Sequence, residues 1–186
     1  MEIQNTQTAE NLHKALAGES IARNKYTYFA QAARANGDEE AAAAFEQMAQ
    51  NEMMHAKFWF ELLYGKPEDT KQSLTQAALG EYNEWSDMYP AFAAQARADG
   101  LDEIAVMFEK VADIERSHEN RFMTLLAKMT QTAPEQAPAP ARAQAPTRTK
   151  KEGYRCQFCG AVFDERPDVC DVCHAIGAFE QVEYYR

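Results

Sequence analysis

Glu52-x-x-His55 recurs 63 residues later as Glu115-x-x-His118, each time inside an apolar stripe. Around the first copy the stripe is Phe45, Met48, Ala49, Ala56, Trp59, Leu62 and Leu63. Around the second it is Ile104, Phe108, Val111, Phe122 and Leu125. This is the spacing of a core-facing helix surface. A carboxylate and an imidazole left alone in such a surface are costly, because burial strips their charge of solvation. The chain must therefore fold so that something compensates these groups, twice.

The repeat is wider than the two motifs. Arg34-Ala-Asn-Gly37 matches Arg97-Ala-Asp-Gly100, and Phe45-Glu-Gln-Met-Ala matches Phe108-Glu-Lys-Val-Ala at the same offset. Four long helices account for it. The first spans about Thr8 to Asn36, with Gly37 as its stop. The second starts at Asp38, an N-cap candidate, and ends near Gly65 and Pro67. The third starts at Ser73, which forms a capping box with Gln76, and runs to Gly100. The fourth runs from Asp102 to about Met129. Very short links inside each pair make two antiparallel hairpins, hence an all-α four-helix bundle with a longer crossover. Upstream, Gly18-Glu19 matches Gly80-Glu81 at an offset of 62. The third helix thus holds one extra residue between Glu81 and Tyr89. Pro90 follows, unable to donate to the turn before it. An excess residue beside a helix-interior proline suggests a π-bulge.

Glu19 falls in the stripe Leu12, Ala15, Ala22, Tyr26, Phe29 and Ala33. Glu81 follows Leu74 and Ala78, with Glu84 one turn on. Carboxylates gathered at one depth of a bundle repel and raise one another's pKa. Divalent cations among them remove that penalty. One Glu from each of two helices, with Glu-x-x-His from the other two, is the donor set of a di-metal carboxylate bundle. The i, i+3 spacing aims both side chains of each motif at one ion. A single Glu-x-x-His is a weak signal; two in register, each with an upstream Glu, are a strong one. Tyr26 and Tyr89 occupy equivalent places in the repeat, where they either hydrogen-bond ligand carboxylates from behind or fill core space. His13 reads as surface.

Composition narrows the rest. The 186 residues suit one ordinary domain and a small one, and a net charge of −10 disfavours nucleic acid as partner. No apolar run or basic leader suggests a membrane or export, so the cytoplasm is the expected compartment. Residues 131–152, rich in proline and alanine, read as a linker between a helical domain at 1–130 and a small unit at 153–186. All four cysteines lie in that unit, as Cys156-x-x-Cys159 and Cys170-x-x-Cys173. Two such knuckles make a tetrahedral four-thiolate site for iron or zinc. Tyr154, Phe158, Phe163 and Phe179 are its expected miniature core. A unit of this size folds only around its metal.

Taken together, Gly18-Glu19 with Tyr26, Glu52-x-x-His55, Gly80-Glu81-x-x-Glu84 with Met88-Tyr89-Pro90, Glu115-x-x-His118 and the paired Cys-x-x-Cys closely resemble rubrerythrin, in order and over nearly the whole chain. The resemblance implies a ferritin-like di-iron domain joined to a rubredoxin-like iron domain, acting as a peroxide reductase. It implies that Glu52 and Glu115 bridge the irons, that Glu19 and Glu84 bind one iron, and that Glu81 and His118 bind the other. His55 replaces Glu84 when the centre is reduced. The chain departs from the family pattern at Gln157 and Asp171, where proline is frequent, and at His174, where glycine is usual. These departures bear on the reduction potential and on iron against zinc.

The function so implied is a non-haem di-iron peroxidase for hydrogen peroxide, part of oxidative-stress defence. Its electrons come through the four-cysteine iron from an NADH-dependent reductase or a small carrier. A homodimer or higher homo-oligomer is expected, and the linker is long enough to bring the small domain to a partner subunit's site. Two other readings use the same residues: a ferritin-like ferroxidase that handles iron, and a non-enzymatic interaction module with a zinc ribbon.

Overall fold

The computed structural model describes residues 3–131 and 150–185. Most of the expected linker lies outside the described residues. The helices are α1 (Gln7–Ala35), α2 (Glu39–Tyr64), α3 (Thr70–Asn83), α4 (Tyr89–Ala98) and α5 (Asp102–Gln131). A π-helical segment, Glu84–Met88, joins α3 to α4. Strands β1 (Lys150–Cys156), β2 (Val162–Phe163) and β3 (Phe179–Tyr185) form an antiparallel sheet in the order β2-β1-β3. The fold class is therefore all-α with a small C-terminal sheet unit. The chain divides into two compact units, Met1–Glu68 and Asp69–Arg186. The first is the α1–α2 hairpin; the second holds α3 to α5 and the sheet.

The two hairpins share their turns and their inner contacts. Gly37 (φ 80°) and Gly100 (φ 76°) end α1 and α4 in the left-handed region, where a Cβ is strained. Asp38 N–H then donates back to Ala33 (2.9 Å), as Leu101 N–H does to Ala96 (2.8 Å). These are the doubled bonds of a helix end closed by glycine. Arg34 bonds Glu46 at 2.9 Å and Arg97 bonds Glu109 at 2.7 Å, equivalent pairs across each turn. Tyr26, Phe29 and Phe45 form an aromatic trio, and Tyr89, Phe92 and Phe108 form its counterpart. The buried seam itself is alanine: Ala30, Ala42 and Ala49 in one hairpin, Ala78, Ala93, Ala96 and Ala105 in the other. Small residues let paired helices approach closely. Met48, Leu62, Ile104 and Leu125, expected in the core, are exposed within their units.

Two boundaries differ from the sequence reading. α3 starts three residues early, because Asp69 caps it, accepting from Lys71 N–H (2.7 Å) and Gln72 N–H (3.2 Å). Ser73 lies inside the first turn, its hydroxyl donating to Asp69 O at 2.9 Å. In the sheet unit Phe163 packs on Phe179, but Phe158 is 76 % exposed. Ile114 of α5, not expected there, is buried with Cys156, Ala161 and Cys170.

Candidate metal centres

α1 and α2 bring Glu19, Glu52 and His55 together; α3 and α5 bring Glu81, Glu115 and His118 together. In each trio one donor atom per residue lies within 4.8 Å of the others. The spacing follows from the helices: the i, i+3 pair shares a face, and the facing helix supplies the third group. His55 Nδ1 lies 2.8 Å from Glu52 Oε2, and His118 Nδ1 lies 2.6 Å from Glu115 Oε2 and 3.8 Å from Glu81. The groups are half-buried except His55, which is exposed.

Electrostatics differ along α3. Burial, then a hydrogen bond and repulsion from Glu115, push Glu81 up to about 6. Glu84 is raised as well, by burial and then by the Glu115 charge. Glu84 is thus close enough to Glu115 to feel it, although it stands outside the trio. It opens the π-helical segment, whose one extra residue changes the facing of everything after it. Tyr89 closes that segment, and burial followed by the charges of Glu84, Glu115 and Glu81 raises its hydroxyl. Tyr26 and Tyr89 both pack in the aromatic trios.

The four cysteines converge, none in a disulfide. Sγ–Sγ separations are 3.6 Å for Cys156–Cys173 and for Cys159–Cys170. Thiolates on a tetrahedral ion with bonds of about 2.3 Å stand about 3.8 Å apart, so the cage fits one. Cys156 is lowered to about 7: burial opposes ionisation most strongly, but hydrogen bonds from the backbone N–H groups of Cys159 and Phe158 and from the Cys173 and Cys159 thiols together outweigh it. Burial raises Cys159 and Cys173. Each knuckle turns through a positive φ, at Gly160 (80°) and at His174 (59°). Gly160 N–H donates to Cys156 O at 3.0 Å and His174 N–H to Cys170 O at 2.9 Å. Cys173 and Ile176 are exposed, as Phe158 is.

The carboxylate trios fit cations too. Their carboxylate oxygens and imidazole nitrogens are donor types that divalent first-row metals take.

Some neighbours carried no motif. Trp85 Nε1–H donates to Glu119 at 2.9 Å, and the Arg116 guanidinium lies 5.2 Å from the Trp85 ring centre. Lys110 Nζ donates to Asp171 at 2.9 Å, linking α5 to the second knuckle. The only sequence signal for this group is that the repeat breaks there: Glu119 answers Ala56, and Ile114 answers Asn51.

Comparison with known proteins comes to the same place. The family model described as Rubrerythrin matches residues 10–126. The chain is 34 % identical over 196 residues to a rubrerythrin of Porphyromonas gingivalis, covering 97 % of this chain and 92 % of that one. It is also 34 % identical over 197 residues to rubrerythrin-1 of Clostridium acetobutylicum, with coverages of 96 % and 95 %. Nigerythrin in its fully reduced, all-ferrous state aligns with a TM-score of 0.40 at 29 % identity, over 94 % of this chain and 86 % of that one.

Proposed function

This chain belongs to the rubrerythrin family, di-iron proteins of oxidative stress, and from that premise we propose that it is a peroxidase reducing hydrogen peroxide to water. Glu19, Glu52, His55, Glu81, Glu84, Glu115 and His118 are the donors for the di-iron centre. Cys156, Cys159, Cys170 and Cys173 hold the third iron. A bound di-iron centre supplies two electrons to one O–O bond, so peroxide is cleaved to water without release of hydroxyl radical. The protein's own part is charge. The carboxylates would neutralise the metal charge. The half-exposed four-cysteine cage is open to a donor on its Cys173 side, as a relay from an NADH-linked reductase or small carrier requires. Residues 1–130 form the di-iron domain, 131–152 the linker and 153–186 the relay domain of a cytoplasmic homo-oligomer.

The observation that carries this reading is the pairing of two carboxylate–histidine trios with a tetrahedral thiolate cage in one chain. Anaerobically reduced protein mixed with peroxide in stopped flow tests it. Reoxidation of the four-cysteine iron is expected to keep pace with peroxide loss. If peroxide disappears while that iron stays ferrous, the relay is wrong. Iron turnover far beyond the bound ions, with oxygen as good an oxidant, would instead identify a ferroxidase. A colourless, zinc-bearing protein would identify an interaction module.

A further inference from the structure

The π-segment Glu84–Met88 is weakly held by its own backbone. Its extra residue stretches the ladder, so that Tyr89 N–H reaches back to Glu84 O, and Pro90 offers no N–H to the turn before it. Side chains must carry more of its placement. Trp85 Nε1–H donates to Glu119 of α5 at 2.9 Å, and the Arg116 guanidinium lies 5.2 Å from the centre of the Trp85 ring. Tyr82, in the last turn of α3, meets that ring edge-on at 5.3 Å. Trp85 and Glu119 are half-buried, and a bond to a carboxylate is stronger than one between neutral groups. Trp85 directly follows Glu84 and Glu119 directly follows His118, so the bond crosses from helix to helix beside two of the donors. We propose that Trp85 and Glu119 are positioning residues: their bond pins the π-segment to α5 and sets how Glu84 and Tyr89 face the Glu81–Glu115–His118 trio.

The internal repeat supplies an independent observation. α1 runs unbroken as α-helix over Gln7–Ala35, without a π-segment. The residue there equivalent to Trp85 is Ala22 or Arg23, according to the side of the extra residue from which one counts. Arg116 and Glu119 answer Met53 and Ala56 of α2. None of these can form an indole–carboxylate bond. The clamp is present in the hairpin that holds the extra residue and absent from the one that lacks it. The Arg–Glu pairs across the turns and the aromatic trios, by contrast, are kept in both. Glu84 and Tyr89 both feel the charge of Glu115, so a change of facing at either end of the segment reaches the trio. Asp99, Gly100 and Leu101 are all that separates α4 from α5, which places the bond within one hairpin of one chain. The clamp stands on geometry; its bearing on iron rests on the donor set proposed above.

Two measurements on the iron-loaded full chain test this, and neither reads turnover. The first is hydrogen–deuterium exchange of the peptide Glu84–Phe92, followed by mass spectrometry. Glu119→Ala removes the acceptor and Trp85→Phe the donor. Each is expected to speed exchange there about tenfold or more, the scale of a lost hydrogen bond to a charged group, with α1 and α2 peptides unchanged. Glu119→Gln keeps an acceptor oxygen and is expected to stay within about threefold of the parent. The double variant is expected to match the single ones, because both remove the same bond. The second measurement is the chelator concentration that strips half of the carboxylate-site iron. It is expected to fall about tenfold in Glu119→Ala and in Trp85→Phe, and to recover in Glu119→Gln, while the visible bands of the four-cysteine iron persist. A role confined to stability would lower the melting temperature without that site-selective loss. Parental exchange in both single variants, additive effects in the double variant, or iron held as in the parent would each overturn the proposal. A parent without carboxylate-site iron would sink the donor set, not the clamp, which exchange of the chelator-treated chain decides by itself.

Discussion

Glu81 shows what one residue's environment does. Its folded pKa is about 6 against an ordinary 4.5, so the folded metal-free chain holds a proton that the unfolded chain gives up. The contribution to stability is full below about 4.5 and is lost as pH rises through about 6. Glu84, raised by the same burial and the same Glu115 charge, acts in the same direction. Chelator-treated protein is therefore expected to melt at a lower temperature at neutral pH than near pH 5, where the proton is retained. A flat profile would mean that the carboxylates are not held together. Metal reverses the sign, because a cation needs the deprotonated form: binding should weaken and release more protons as pH falls through the same window. Calorimetric titration in two buffers of different ionisation heat reads that proton directly.

At the scale of elements, the caps and the π-segment decide which groups face one another. Asp69→Ala removes the oxygen that accepts from Lys71 and Gln72 N–H, at an expected cost of about 1 kcal/mol. Ser73→Ala, inside the helix, should leave the denaturation midpoint almost unchanged. Equal effects of the two would restore the later start that the capping box suggests. The π-segment carries the register. Deleting Asp87, exposed within it, should leave helical content intact by circular dichroism and turn Tyr89 and the helix beyond it away from the Glu81–Glu115 cluster. Metal analysis is then expected to show iron lost from the carboxylate site while the visible bands of the four-cysteine iron remain. Retention of full iron would mean that the extra residue has no bearing on the site.

At the scale of the whole molecule the sheet unit is expected to depend on metal for folding and the helices are not. The unit's core is little more than Phe163, Phe179, Ala161 and the cysteines, with Ile114 lent by α5. Cys173→Ser should abolish the four-cysteine metal and the protection of β1–β3 amides from exchange, while the far-ultraviolet helical signal persists. Loss of the helical signal would show that the hairpins depend on the small unit.

The sequence by itself marked the helices, their pairing into hairpins, the candidate donor residues and the paired cysteines; their grouping into two trios came from the structure. Each marked feature depends on spacing along the chain: i, i+3 on a helix, two residues between cysteines, a glycine at a turn. The repeat made the spacing visible twice, and the one-residue mismatch marked the π-segment before any coordinates. Tertiary structure decided what spacing cannot express. Asp69 outbid Ser73 as cap because its carboxylate reaches two free N–H groups at once. Ile114, remote in sequence, joined the core of the small unit while Phe158 stayed exposed. Trp85 met Glu119 because the π-segment and α5 lie side by side, and a distance between remote segments leaves no period in the sequence to read.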